Sequence, residues 1–171
     1  MDYKNFNREP TTDVVIRFQD CDPFGHLNNA RYIDYFINVR EDHLLDYYDL
    51  DIYERQKHSN INWVVANTKI SYLFPVLFRE KVSIRTRLIN YNDNSLLMEG
   101  VMLDKDRKKL KSIIWIEFKH FDLTSGKLTK HSNELMELFD KISIKGINAD
   151  YFNERVKEII RLQKNNLVEM P

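Results

Sequence analysis

Apolar and polar positions along the chain follow two different periods, and the changes between them outline a fold. Residues 14–18 alternate with a period of two, the pattern of a half-buried strand. From residue 30 to about residue 48 the spacing lengthens to that of a helix, with Tyr32, Ile33, Phe36, Ile37, Val39, Leu44 and Leu45 carrying the apolar stripe. Residues 81–90 return to strict alternation, with Val82, Ile84, Thr86 and Leu88 on one face and Ser83, Arg85 and Arg87 on the other, which predicts another half-buried strand. Two further strands are predicted at 96–103 and 111–121, joined through the charged turn 104–109. In these two, Leu96, Leu97, Met98 and Ile113, Ile114, Trp115, Ile116 are apolar at successive positions, so both of their faces are expected to be covered.

Toward the C-terminus, Ser132 is placed to cap a short helix through Phe139, and residues 149 to about 162 carry Phe152, Val156, Ile159 and Ile160 at helical intervals. This tail is predicted to pack on the sheet edge or on a neighbouring subunit and to take no part in catalysis. The order of strand, helix and then strands without intervening helices predicts an α+β fold, a long helix packed across an antiparallel β-sheet with a C-terminal helical extension. One helix cannot cover both faces of the central strands, so a second subunit is expected to help. No repeat and no Gly-, Ser- or Pro-rich linker divides the chain, which reads as one domain over 1–171, with a core at about 12–140 and the extension at about 141–171.

Composition removes several function classes. The 171 residues carry 26 Lys and Arg against 26 Asp and Glu, so no basic surplus points to nucleic acid or to an anionic membrane surface. The single cysteine, Cys21, rules out an intrachain disulfide framework. The polar N-terminus and the lack of a long apolar run predict a cytoplasmic protein without a membrane segment.

Candidate chemistry concentrates in residues 18–36, FQDCDPFGHLNNARYIDYF. Asp20 and Asp22 end the first strand, Pro23 and Gly25 turn the chain, and Asn28 or Asn29 can cap the following helix. A helix start presents unsatisfied amides and the positive end of a dipole, which stabilise negative charge, while an adjacent carboxylate can serve as nucleophile or general base. Attack on an acyl carbonyl needs both.

The string D-x-D-x-x-G-H-x-N-N-A-R-Y, formed by Asp20, Asp22, Gly25, His26, Asn28, Asn29, Ala30, Arg31 and Tyr32, resembles the hotdog-fold acyl-CoA thioesterases of the 4-hydroxybenzoyl-CoA thioesterase type. WVVANTKISYLFPV at 63–76 is similar to that family's long second strand, with its Y-x-x-P ending at Tyr72 and Pro75. The resemblance covers roughly residues 12–140. It implies a hotdog fold, an acyl-CoA substrate, Asp22 as the catalytic carboxylate, a helix-start amide near Asn29 that polarises the thioester carbonyl, and protomers that join their sheets in a homodimer or homotetramer.

An isolated D-x-D before a helix is ordinarily a turn; the register of the whole string is what raises Asp22 above that reading. Asp20 is read either as holding the loop and Asp22 or as taking a direct part. His26 is assigned a supporting, orienting role. Asp20, Asp22 and His26 make a weak metal signature, and neither a metal nor a cofactor is expected. His43, His58, His120 and His131 stand apart by type and spacing. Tyr32, Tyr35, Phe36 and Tyr72 are candidates to line an acyl slot. Arg85 and Arg87, with Arg31 and Lys69, are candidates for the phosphates of coenzyme A, although most such charges are expected to be solvated. Covalent and general-base catalysis remain equivalent at this level. The alternatives are an acyl carrier protein as the thiol carrier and a non-catalytic acyl-CoA binding module.

Overall fold

The computed structural model describes residues 7–164. A first strand β1 (Thr11–Val15) leads through a 3-10 turn (Phe18–Asp20) and a loop into the long helix α1 (Arg31–Tyr48), then a short helix α2 (Ile52–Ser59). Strands β2 (Ile61–Tyr72), β3 (Lys81–Tyr91), β4 (Ser95–Asp104), β5 (Leu110–Asp122) and the two-residue β6 (Lys127–Leu128) follow, and helices α3 (Asn133–Ile142) and α4 (Phe152–Lys164) close the chain. The strands form one antiparallel sheet in the order β1-β3-β4-β5-β2, with β6 paired to β5. This is the expected α+β hotdog arrangement, with α1 lying across the sheet.

Helix α1 buries Tyr32, Phe36, Val39, Arg40, His43, Leu44 and Tyr48, one stripe at three- and four-residue intervals, and ends where Asp49 adopts a left-handed φ of 52°. Its close approach to the sheet depends on Gly100 of β4. A Cβ there would lie 2.5 Å from Phe36 Cδ1 and 2.7 Å from Ile114 Cγ2, so only glycine seats the Phe36 ring. Leu45, predicted on the stripe, is exposed.

Three expectations need correction. The first strand lies at Thr11–Val15 instead of 14–18, because Phe18 turns outward in the 3-10 turn and packs edge-on against Phe78, with ring centroids 5.6 Å apart. Helix α2 was not predicted. None of its side chains is buried, so it has no apolar stripe; its signal was Asp51, whose carboxylate accepts from Tyr53 N and Glu54 N, both at 2.9 Å.

The third correction concerns the second face of the sheet. β3 was predicted to be half-buried, yet Ser83 and Arg87 on its polar face are buried along with Val82, Ile84 and Thr86. The cover comes from the same chain. Phe152, Val156 and Ile159 of α4 pack on Val101, Leu103, Leu110, Ile113 and Trp115, so the tail docks on a sheet face rather than on its edge. Helix α3, capped by Ser132 as expected, instead joins α1 on the opposite face through Leu135, Leu138, Phe139 and Ile142.

A buried ion network fastens the α4 side. Glu99, with no exposed surface, accepts from Arg87 Nε at 2.8 Å, Arg155 Nε at 3.1 Å and Trp115 Nε1 at 2.9 Å, and Arg87 is also paired with Glu9. Burial pushes the Glu99 carboxyl up, but the Arg87 and Arg155 charges and their hydrogen bonds outweigh it and hold the group below the ordinary carboxylate range. At the other border of the sheet, β2 has a bulge between Val65 and Asn67, and residues 64–67 are exposed along its free edge. Among the described residues, no helix is long and apolar enough to cross a membrane.

Candidate active site

The loop between β1 and α1 is built from its own polar groups. Asp22 N donates to His26 O at 2.8 Å, Gly25 N donates to Asp22 O at 3.0 Å, and Gly25 takes φ of 76°, a left-handed turn conformation suited to glycine. The loop is then stitched to the segment after β2. Leu27 N donates to Val76 O at 2.8 Å and Phe78 N to Gly25 O at 3.0 Å, while Lys111 Nζ donates to Pro75 O at 2.9 Å and pairs with Glu80. Residues far apart in the chain therefore share one rigid corner.

That corner encloses a cleft of about 270 Å³ lined by Asp22, His26, Leu27, Asn29, Tyr32, Tyr72, Leu73, Phe74 and Pro75. Asp22 Oδ1 accepts from Phe24 N at 2.9 Å and from His26 N at 3.0 Å, which fixes the carboxylate plane. Its Oδ2 has no hydrogen-bond donor among the described residues. The Asn29 carbonyl accepts from the Tyr72 hydroxyl at 2.9 Å, and the Asn29 N–H has no acceptor among the described residues. A residue with an anchored carboxylate and a free oxygen and a residue with an uncommitted amide thus line one partly apolar cleft. The walls include Tyr32, which is 2% exposed and whose hydroxyl burial pushes up, and Tyr72, whose ring meets it edge-on at 5.0 Å.

The helix start differs from expectation in detail. The N-cap position is Ala30, without a side-chain cap, and Asn28 Oδ1 accepts from Ala30 N at 3.0 Å one step earlier. Asn29 itself is left uncapped and exposed, with its amide available.

Other candidates lie elsewhere. Asp20 is taken up by structure: its Oδ2 accepts the Tyr35 hydroxyl at 2.8 Å, and Arg31 Nε lies 3.9 Å from its Oδ1. Tyr35 accepts from Arg17 N at 3.1 Å and faces a second, polar depression with Asp20, Arg31 and Asp34. Phe36 is sealed in the core over Gly100. The structure also removes Arg85 and Arg87 from any solvent-facing phosphate site. They point to the α4 side of the sheet and pair with Glu9, Arg87 with Glu99 as well. Alternation had put both on a polar face, and it could not show that a helix 60-odd residues later in the sequence would cover that face. Lys69 is exposed on β2.

Sequence reasoning missed Leu27, Leu73 and Phe74 of the cleft, although Tyr72 and Pro75 on either side of the latter two had marked the segment. Among the described residues, no group of three or more His, Cys, Asp or Glu side chains is arranged to hold a metal ion.

Comparison with known proteins places this geometry. A family model described as the Thioesterase-like superfamily matches residues 16–139, which span the loop, α1, α2, strands β2 to β6 and most of α3, but neither β1 nor α4. The chain is 26% identical over 131 residues to the long-chain acyl-CoA thioesterase FadM of Escherichia coli strain K12, covering 77% of this chain and 97% of that protein. Its fold is similar to that of YbaW, a probable thioesterase from Escherichia coli, with a TM-score of 0.66 at 25% identity over 78% of this chain and 98% of the other. It is also similar in fold to the DHNA-CoA thioesterase of Staphylococcus aureus, with a TM-score of 0.69 at 14% identity over 92% of this chain and 95% of the other.

Proposed function

The chain belongs to the Thioesterase-like superfamily and is a thioester hydrolase; from that premise we propose that it hydrolyses acyl-CoA to a free carboxylic acid and coenzyme A, with Asp22 as the reacting carboxylate. The observation that carries this assignment is the state of the Asp22 carboxylate: Oδ1 is held by two backbone amides while Oδ2 is left without a protein donor, in a cleft shared with the Asn29 amide.

The Asn29 N–H supports the developing negative charge on the carbonyl oxygen, reinforced by the start of α1. In the covalent route, Asp22 Oδ2 attacks the carbonyl carbon, the C–S bond breaks, and the thiolate leaves and takes a proton from solvent. Water then hydrolyses the mixed anhydride. In the general-base route, Asp22 takes a proton from water as the water attacks, and the proton passes to the departing thiolate. His26, whose N–H holds Asp22 Oδ1, orients the carboxylate in both. Tyr32 and Tyr72 line the acyl side of the cleft.

We further propose a homodimer or homotetramer. The bulged free edge of β2, exposed over 64–67, and the exposed rings of Phe18, Phe24, Phe74 and Phe78 on the loops beside the cleft supply surface for a second copy. Light scattering that shows only monomer at micromolar concentration would remove this part of the proposal.

The deciding experiment is thiol release across short, medium, long and aromatic acyl-CoAs, and from the same acyl groups on acyl carrier protein. Asp22→Asn is expected to lower kcat by more than about 100-fold with folding intact. Unchanged turnover would refute the assignment. Turnover on the carrier protein alone would replace coenzyme A as the thiol carrier, and no turnover on either would leave a binding module. Rapid quenching followed by mass spectrometry distinguishes the routes, since only the covalent one leaves an acyl group on Asp22.

A further inference from the structure

The buried stripe of α1 contains one residue that neither the fold nor the cleft uses. Arg40 is 7% exposed, and among the described residues its guanidinium has no carboxylate and no hydrogen-bond acceptor; its contact is the Phe118 ring, with Cζ 4.1 Å from the centroid. By contrast, Arg87 of β3 pairs with Glu9 and Glu99, and Arg155 of α4 with Glu99 and Glu158. Glu41, the neighbouring acid, accepts the Tyr53 hydroxyl at 2.8 Å. Burial pushes Arg40 down to about 10 against an upward pull from the Glu41 charge, which is not within ion-pair distance, and this still leaves it cationic at neutral pH. A buried charge without a counter-charge opposes folding, and a single aromatic face offsets only part of that cost.

Arg40 lines a pocket enclosed by α1, α3 and the sheet, whose walls include Leu44, Leu50, Leu88, Met98 and Ile142. His43 shares the pocket as a neutral group. Its Nε2 and Nδ1 meet the hydroxyls of Thr12 at 2.9 Å and Thr86 at 2.8 Å, and burial pushes it down to about 4, so it neither competes with nor replaces an anion there. The pocket holds about 40 Å³. At roughly 10–15 Å³ for each water-sized group, that is room for about three heavy atoms, the size of a carboxylate.

We propose that this pocket is a second binding site, separate from the catalytic cleft, for a carboxylate no larger than about acetate, whose charged head pairs with Arg40 and whose methyl group lies against the leucine walls. Binding rests on the pocket alone. That such a ligand has the chemistry of the reaction's own acid product rests on the thioesterase reading.

The test is titration with formate, acetate and propionate against ethanol, followed by the emission of Trp63, which also lines the pocket, and by calorimetry, with affinity expected to fall at propionate as the ligand outgrows the pocket. Saturable binding of a carboxylate and none of the alcohol is expected, with at least a tenfold loss of affinity in Arg40→Met. Leu96→Phe, which narrows the pocket and keeps Arg40, is expected to lose binding as well, and it stands in should Arg40→Met fail to fold. Asp22→Asn is expected to bind as the wild type does. Arg40→Met is also expected to melt higher than wild type, because it removes an unpaired buried charge.

Lack of saturation by all three acids overturns the site. So does equal binding of the alcohol, or a changed affinity in Asp22→Asn, most directly the tighter binding expected when a like charge is removed, which would move the ligand to the cleft. A change of oligomeric state in Arg40→Met without a change of affinity would assign Arg40 to a contact between copies and likewise overturn it. Thiol release is read in a separate assay, so failure of the thioesterase proposal is distinguishable from failure of this one.

Discussion

Glu99→Ala should loosen the C-terminal helix from the sheet, and the size of the effect follows from what each partner retains. The carboxylate is fully buried and accepts from Arg87, Arg155 and Trp115. Removing one partner from a buried ion pair costs about 3–5 kcal/mol when the other charge is stranded. Neither arginine is wholly stranded here: Arg87 keeps Glu9, and Arg155 keeps Glu158 at 2.9 Å. Only the Trp115 indole loses its sole acceptor, which places the cost near the lower limit, at about 3 kcal/mol. For a chain of this length each 1 kcal/mol moves Tm by about 2–4 °C, so a fall of about 6–12 °C is expected in a calorimetric melt at pH 7. Limited proteolysis should then cut first in residues 143–151, between α3 and α4. The network also sets a pH dependence. A carboxyl held below its ordinary value stabilises the fold at neutral pH, and that stabilisation is lost as pH falls below the ordinary carboxylate value and through the lower folded one. Glu99→Gln should therefore flatten part of the acid limb of the stability curve. A Tm within about 2 °C of wild type for Glu99→Ala would refute the claim that this network holds α4.

Other outcomes follow from the same structure. Gly100→Ala puts a methyl 2.5 Å from Phe36 Cδ1, and the overpacking should cost about 1–3 kcal/mol in urea denaturation; an unchanged midpoint would show that Phe36 is free to shift. Tyr72→Phe removes the hydroxyl that donates to Asn29 O, and kcat/KM should fall about 5-fold for one net hydrogen bond, with Tm nearly unchanged. His131 accepts the Trp63 indole N–H on Nε2 at 3.0 Å, and burial pushes it down to about 4. The unfolded chain takes up a proton near pH 6.5 while the folded one does not until about pH 4, so stability should drop as pH falls from 6.5 toward 4, by about 2 kcal/mol at pH 5 from this imidazole. Denaturant midpoints at pH 7 and pH 5 measure the drop, and His131→Gln should reduce it.

The candidate loop was legible because it is local. Asp22, His26 and Asn29 lie within eight residues of one another, and the turn at Pro23 and Gly25 brings them to one cleft, while the roles proposed for them came from the resemblance of the whole string to a known family. The long helix and the meander were legible for the same reason, since periods of 3.6 and 2 are properties of a single element. Tyr35 and Phe36 show where that stops. Both fall on the helix that starts at the cleft, yet one turns to Asp20 and the other into the core over Gly100, a choice made by a strand more than 60 residues away.

By itself, then, the sequence determined the type of each main element and the α+β class, because these depend on propensity, periodicity and short-range hydrogen bonding, and it singled out the candidate loop through its resemblance to a known family. Only the tertiary structure decided which face α4 covers, that Arg85 and Arg87 are committed to carboxylates, that Tyr72 and Pro75 help line the cleft with Asp22, and that Arg40 is buried without a salt-bridge partner among the described residues. Each of these is a contact between residues distant in the chain, and burial and pairing are set by what the fold brings against a side chain, a quantity that no local pattern encodes.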